Sequence, residues 1–336
     1  MTPNAGDRAF QLAGGFRAAQ IVNAAVELGV PDLLAGGPRS VDELSLATDI
    51  EAPRLRRLLR ALSGLGVLLE TQDGRYANTE VGDLFREGVP GSRRPMARML
   101  IPQAYRSWDH LLETLRTGVT GQSLAHGGTL WEQIAADPDF GARFNDAMAS
   151  NTQGVAEFVA RSGDFANASL VVDVGGGEGS LVTGVLLAHR NLHGVVYDLP
   201  AGLAQTPDYL ASHHVQDRCT IAEGNFFESV PPGDVYLLKD ILHDWDDEHA
   251  AAILGVCRRA MNTGARVMIV ERVLPSHVTD DPAHMMATMT DLHMMVMLGG
   301  RERTLEDLGS LFKTAGLALE RFTPGAVFHL VEAVAV

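Results

Sequence analysis

Leu170-Val-Val-Asp-Val-Gly-Gly-Gly-Glu-Gly-Ser180 decides the fold. A short apolar strand runs into a glycine-rich turn, and Ser180 to His189 then has the pattern of a helix. Strand, glycine loop and helix form the entry unit of an open α/β sheet, which binds ligands at the carboxyl ends of its strands. Glycines in such a loop permit positive φ and let the backbone approach a ligand closely. The GxGxxG spacing of a dinucleotide site fails here, because the frames starting at Gly175 and Gly177 end on Ser180 and Val182.

Working outward, Gly194-Val-Val-Tyr-Asp198, Val235-Tyr-Leu-Leu238 and Arg266-Val-Met-Ile-Val270 read as further strands, with a helix from Glu248 to Met261. Leu317 to Arg321 and Phe328 to Val334 flank Thr323-Pro-Gly325 and predict a closing hairpin. Strands alternating with helices imply a doubly wound, mostly parallel sheet. Asp198, ending the strand after the glycine loop, can accept hydrogen bonds from both ribose hydroxyls of an adenosine. A ligand with adenosine and no pyrophosphate is S-adenosylmethionine, whose cationic sulfonium suits acidic surroundings. An empty tight turn is the bland alternative.

Ahead of the sheet the pattern is helical. Apolar residues recur from Arg8 to Leu28, Ser40-Val-Asp-Glu43 has capping-box spacing, and Pro53 opens a helix with Leu55, Leu58, Leu59 and Leu62 on one side. Val67 to Glu70 and Arg75 to Ala77 then predict a β-hairpin, giving the outline of a winged helix. Arg54, Arg56, Arg57 and Arg60 could serve a DNA-reading helix or be a solvated face. The stretch from about Ser92 to Arg161 is again helical. The expected division is 1–95, a winged-helix-like domain; 96–165, a helical connector to the acceptor pocket; and 166–336, the sheet domain.

The 336 residues carry a net charge of -15, which disfavours nucleic acid and anionic lipid as partners. Apolar residues at 46% and charged residues at 21% are ordinary globular values. The two cysteines, Cys219 and Cys257, suggest neither a disulfide framework nor a thiolate zinc site. A cytoplasmic protein without leader or membrane span is expected.

The chemistry concentrates in Leu237-Leu-Lys-Asp-Ile-Leu-His243-Asp-Trp-Asp-Asp-Glu-His249. A His/Asp cluster can bind a metal, and acids also gather at helix N-termini. Asp246 and Asp247 fit the helix reading, so no metal is expected.

LVVDVGGGEGS, VVYDLP, EGNFF, LLKDILHDWDDEHA, ERVLP and GGRERT, in this order, resemble the plant caffeate and flavonoid O-methyltransferases and their bacterial natural-product relatives. The resemblance spans nearly the whole chain. It implies a Rossmann-like seven-stranded methyltransferase sheet, a helical N-terminal dimerisation domain and a homodimer. His243 is implied as general base, with Glu271 and Glu302 flanking and orienting its imidazole. Gly175, Gly177, Asp198, Leu199, Asn225, Phe226 and Lys239 are implied to line the cofactor site, with Trp245 against the adenine. Phe144, Met148 and Asn151 match a segment that reaches the acceptor. Asn225 stands where relatives usually carry Asp, so the bond from the adenine amino group would lack charge assistance. His249, His284 and His293 match no catalytic role and are taken as surface or pocket residues.

Residues 284–297 hold half of the chain's 12 methionines. Met285, Met289, Leu292 and Val296 form one helical stripe, open to a core or a pocket reading, while Met294, Met295 and Met297 could wall an acceptor pocket. Methionine adapts to flat rings, so an aromatic or polyketide acceptor is expected. The alternatives are C- or N-methylation, a relative that binds S-adenosylmethionine but decarboxylates or hydroxylates, and a winged-helix small-molecule regulator.

Overall fold

The structure, a computed structural model, describes residues 4–152 and 154–336, and of Leu100 only the backbone. Two compact units emerge: residues up to Tyr105 with Asp146–Asn151, and Arg106–Asn145 with Thr152–Val336. The 96–165 stretch is shared between them.

In the first unit the run from Arg8 to Leu28 is two helices, Ala5–Ala13 and Phe16–Glu27. The neighbouring Gly14 and Gly15 break it, since glycine is entropically the most reluctant ordinary residue in a helix. Ser40 caps helix Val41–Thr48 with the full reciprocal box, its hydroxyl accepting the Glu43 N–H at 3.2 Å while Glu43 accepts the Ser40 N–H at 2.7 Å. Helix Ala52–Gly64 buries Leu55, Leu59 and Leu62 completely. Its arginines are solvated, Arg54 and Arg60 pairing with Glu51 and Glu70 at the surface. The hairpin of β1 (Leu68–Glu70) and β2 (Tyr76–Asn78) closes the small core over Tyr76.

In the second unit, β3 (Leu170–Val174), β4 (His193–Asp198), β5 (Cys219–Glu223), β6 (Gly233–Lys239), β7 (Met261–Glu271), β10 (Leu317–Thr323) and β11 (His329–Ala335) form one sheet. The short parallel pair β8 (Val273–Leu274) and β9 (Arg303–Thr304) stands apart from it. Strand order is β10-β11-β7-β6-β3-β4-β5, parallel from β7 to β5, with β11 antiparallel to both β7 and β10. The strand at Val235 is thus the fourth of this sheet, since the sequence reading passes over β5. That edge strand buries only Cys219 and exposes Thr220, Ile221 and Glu223, so it lacks the apolar run of its neighbours.

Alternation sends Val172, Val174, Tyr236, Leu238 and Ile269 to one face, under helices Asp247–Ala260 and Leu305–Thr314. Val171, Val196, Leu237, Met268 and Val270 fill the other, against helices Val155–Ser162 and Ser180–Ala188. The chain proceeds from β3 toward β5 on one side and then returns to place β6 on the other. The topological switch point therefore lies between β3 and β6, whose carboxyl ends carry the glycine loop and the His243 turn.

Candidate active site

At the end of β3, Gly175 has φ +68 and its N–H bonds the Tyr197 carbonyl at 2.8 Å. A Cβ there would stand 2.4 Å from Ile241 Cδ1, so the position requires glycine for its space as well as its backbone. Asp198, at the end of β4, accepts the Gly177 N–H on Oδ2 at 2.9 Å and the Leu199 N–H on Oδ1 at 2.7 Å. Burial pushes its carboxyl up, against the pull of those two bonds. Each oxygen keeps a lone pair, enough for two hydroxyl donors.

Phe226 lies beside the Gly175 loop and meets Trp245 edge-on, with centroids 6.4 Å apart. Trp245 also stacks on Trp131, with ring planes 13° apart, and Trp131 meets Phe144 edge-on at 5.9 Å. Asn225 does not offer its amide freely. Its Oδ1 accepts the Phe227 N–H at 3.0 Å and its Nδ2 donates to Glu228, so it shapes its own turn and has one acceptor lone pair remaining. Lys239 is paired with Asp240 at 2.6 Å.

The turn Leu242–Asp244 follows β6 and carries a buried His243. Its Nδ1 lies 2.9 Å from Oε1 of the fully buried Glu302, while Nε2 lies 3.4 Å from Asp244 and 3.7 Å from Asp240. Burial alone would lower the imidazole pKa, but Glu302, Asp244 and Asp240 together overcome it and raise the group to about 10. Asp240 occupies the left-handed region at φ +53, which is uncommon for a residue other than glycine, and Lys239 and Arg272 hold it there.

Glu271 departs from expectation. Its Oε1 accepts the backbone N–H groups of Ile241, Leu242 and His243 at 3.2, 2.6 and 3.1 Å, so it grips the chain that carries the ring, where flanking of the imidazole itself was expected. A turn leaves several N–H groups pointing one way, and a buried carboxylate is a strong acceptor for them. The carbonyl side is held by Arg303, a residue the sequence reading passes over although GGRERT contains it. Its guanidinium donates to the Leu242 and Trp245 carbonyls, both at 2.8 Å, and to Asp247 at 2.9 Å. Gly300 packs so closely that a Cβ would stand 2.1 Å from the His243 carbonyl oxygen.

Asp246 caps helix Asp247–Ala260 and pairs with His249 at the surface, which separates these two from the buried His243. Helix Pro282–Met297 buries Met294, Val296 and Met297 and half-buries Met295. Of the stripe, Met285, Met289 and Leu292 are exposed while Val296 is fully buried, so it packs as core only at the C-terminal end of the helix. Met148 and Asn151 belong to the first unit, where Asn151 accepts from Arg93 at 3.4 Å.

An adenosine ligand fits what is present. Gly177, at φ +54, would aim a Cβ at open space, Asp198 retains acceptor capacity, and the Trp245 indole N–H is buried without a partner among the described residues. A strand-end carboxylate and a glycine loop, with a buried histidine on the neighbouring strand end, define a site for a nucleoside-type cofactor beside a titratable group.

Comparison with known proteins agrees. Residues 108–318 match the O-methyltransferase domain model and residues 10–88 the O-methyltransferase dimerisation domain model. The chain is 38% identical to a phenazine O-methyltransferase, PhzM, of Lysobacter antibioticus over 94% of this chain and 92% of that one. The crystal structure of LaPhzM superposes with a TM-score of 0.93 at 36% identity, over 99% of this chain and 100% of that one. A neocarzinostatin-biosynthesis O-methyltransferase, solved with S-adenosylmethionine and 2-hydroxy-5-methyl naphthoic acid, gives 0.81 at 31% identity over 95% and 96%. The chain belongs to the S-adenosylmethionine-dependent O-methyltransferase family, in its bacterial natural-product branch. No helix among the described residues is long and apolar enough to cross a membrane.

Proposed function

We propose that this methyltransferase acts on a phenolic hydroxyl of a small aromatic or polyketide natural product, with His243 as general base. The observation that carries this reading is the 2.9 Å contact between His243 Nδ1 and the buried Glu302 carboxylate. A proton held on Nδ1 leaves the Nε2 lone pair of the neutral ring free to take a hydroxyl proton. Glu302, Asp244 and Asp240 then stabilise the imidazolium that forms.

S-adenosylmethionine, when bound, supplies the electrophilic methyl group. Asp198 would hold the ribose hydroxyls and Trp245 the adenine face, with Gly175, Gly177, Leu199, Asn225, Phe226 and Lys239 completing the lining. Phe144, Met148, Asn151, Met294 and Met295 are assigned to the acceptor. The displacement is in line and depends chiefly on positioning, which can contribute ~7 kcal/mol or more to the rate. A homodimer through the N-terminal helices is part of this reading: helix Ala5–Ala13 buries none of its own residues, and Phe10, Leu12 and Phe16 are exposed.

Incubation with methyl-labelled S-adenosylmethionine and a panel of phenolic polyketides, followed by mass spectrometry and NMR, tests the assignment. Label on an aromatic oxygen is the expected result. Label on carbon or nitrogen reassigns the acceptor atom, and no transfer to any phenol rejects the proposal.

A further inference from the structure

His293 lies in the second turn from the end of helix Pro282–Met297, half-buried, and accepts a hydrogen bond on Nδ1 from the Trp108 indole N–H at 3.0 Å. The two ring planes lie within 19° of each other, so the indole donor meets the imidazole lone pair nearly in plane. Indole nitrogen can only donate. Nδ1 must therefore be bare, and the proton of the neutral ring sits on Nε2. That Nε2–H has no partner among the described residues. A histidine whose tautomer is fixed by a second group is a directed hydrogen-bond donor.

The surroundings keep the ring uncharged. Burial, then the charges of His243 and Arg272, depress it to about 4. The helix that carries His293 is tied to the His243 site by a hydrogen bond: Asp291 accepts the Glu302 N–H at 2.9 Å, and Glu302 holds His243. Met294, next along the helix, is buried.

We propose that His293 is a positioning residue for the acceptor, donating Nε2–H to a neutral carbonyl or quinone oxygen close to the hydroxyl that is methylated; this rests on the phenolic reading above. The acceptor class narrows accordingly, to hydroxyaryl ketones and hydroxyquinones.

The test uses the full-length enzyme with His293→Phe, which keeps ring volume and loses both bonds, and His293→Gln, which retains an acceptor for Trp108 and an N–H donor. Nitrogen-15 NMR of histidine-labelled protein, with the His293 signals assigned by their loss in His293→Phe, reads the tautomer at pH 7 without any acceptor. A neutral ring protonated on Nε2 is expected, and an imidazolium or an Nδ1-protonated ring overturns the proposal. Kinetics with 1-hydroxyanthraquinone and 1-hydroxyanthracene then read the recognition. His293→Phe is expected to raise KM about tenfold for the quinone, the worth of one hydrogen bond, with kcat within about threefold and His293→Gln restoring KM. The KM for 1-hydroxyanthracene is expected to stay unchanged, and an equal loss on both acceptors, or none, overturns the proposal. If neither phenol is methylated, the narrowing to hydroxyaryl ketones and hydroxyquinones is overturned, while the phenolic reading is decided separately by the wider panel.

Discussion

Glu271 and Arg303 hold opposite polarities of one turn: the carboxylate takes the N–H groups of residues 241 to 243, and the guanidinium takes the carbonyls of Leu242 and Trp245. His243 is thereby fixed through its backbone, and Glu302 fixes its ring. Arg303→Lys removes the planar fork that reaches two carbonyls and Asp247 at once. It is expected to lower stability by about 2–4 kcal/mol and turnover by at least about tenfold. Urea denaturation and steady-state kinetics check this. An unchanged midpoint would mean that the turn is held by something else.

Two glycines separate folding from binding. Gly300→Ala drives a methyl into the His243 carbonyl and is expected to lower the melting temperature and abolish turnover, since overpacking costs about 1–3 kcal/mol or more. Gly177→Ala meets no atom and suffers only its left-handed backbone, roughly 1–2 kcal/mol. Its expected phenotype is a folded protein that S-adenosylmethionine no longer stabilises in a thermal melt.

The strand-loop-helix unit at Leu170–Ser180 was readable because a fully buried strand is an apolar run and the loop is nearly all glycine. β5 was not, because an edge strand facing water carries mixed residues. The His243 segment stood out by its density of acids, and Glu302 through the family resemblance. The grip of Glu271 on backbone and the clamp of Arg303 lay beyond reach, because backbone partners leave no mark in residue type. His293 looked like any helix-borne histidine until the structure set Trp108, distant in sequence, against its Nδ1.

In the proposed site Asp198 carries the ribose contact. Its replacement by Ala is expected to weaken S-adenosylmethionine about 10- to 100-fold, corresponding to about 1.5–3 kcal/mol for hydrogen bonds to a charged group. Titration calorimetry measures it. NAD is expected to leave the wild-type melting temperature unmoved, since only a ligand of the native state stabilises it. Stabilisation by NAD would overturn the cofactor assignment.

If His243 is the base, its raised pKa sets the pH dependence. Neutral imidazole grows as pH climbs toward that value, so turnover at saturating acceptor is expected to rise across roughly pH 7 to 9. Glu302→Gln removes the foremost influence that raises the group and lets burial draw it down. Its profile should level off at lower pH with a smaller maximum. Superimposable profiles would show that the ionisation belongs to the acceptor.

The central claim is that His243 removes the hydroxyl proton, and His243→Ala tests it most directly when kcat and S-adenosylmethionine affinity are measured on the same preparation. The account predicts that kcat falls about 10²- to 10⁴-fold at neutral pH, recovering in part at high pH where phenolate forms unaided, with cofactor affinity nearly unchanged. Near-wild-type turnover at neutral pH would contradict it, leaving positioning alone to carry the reaction and favouring an amine acceptor, which needs no base before the methyl moves.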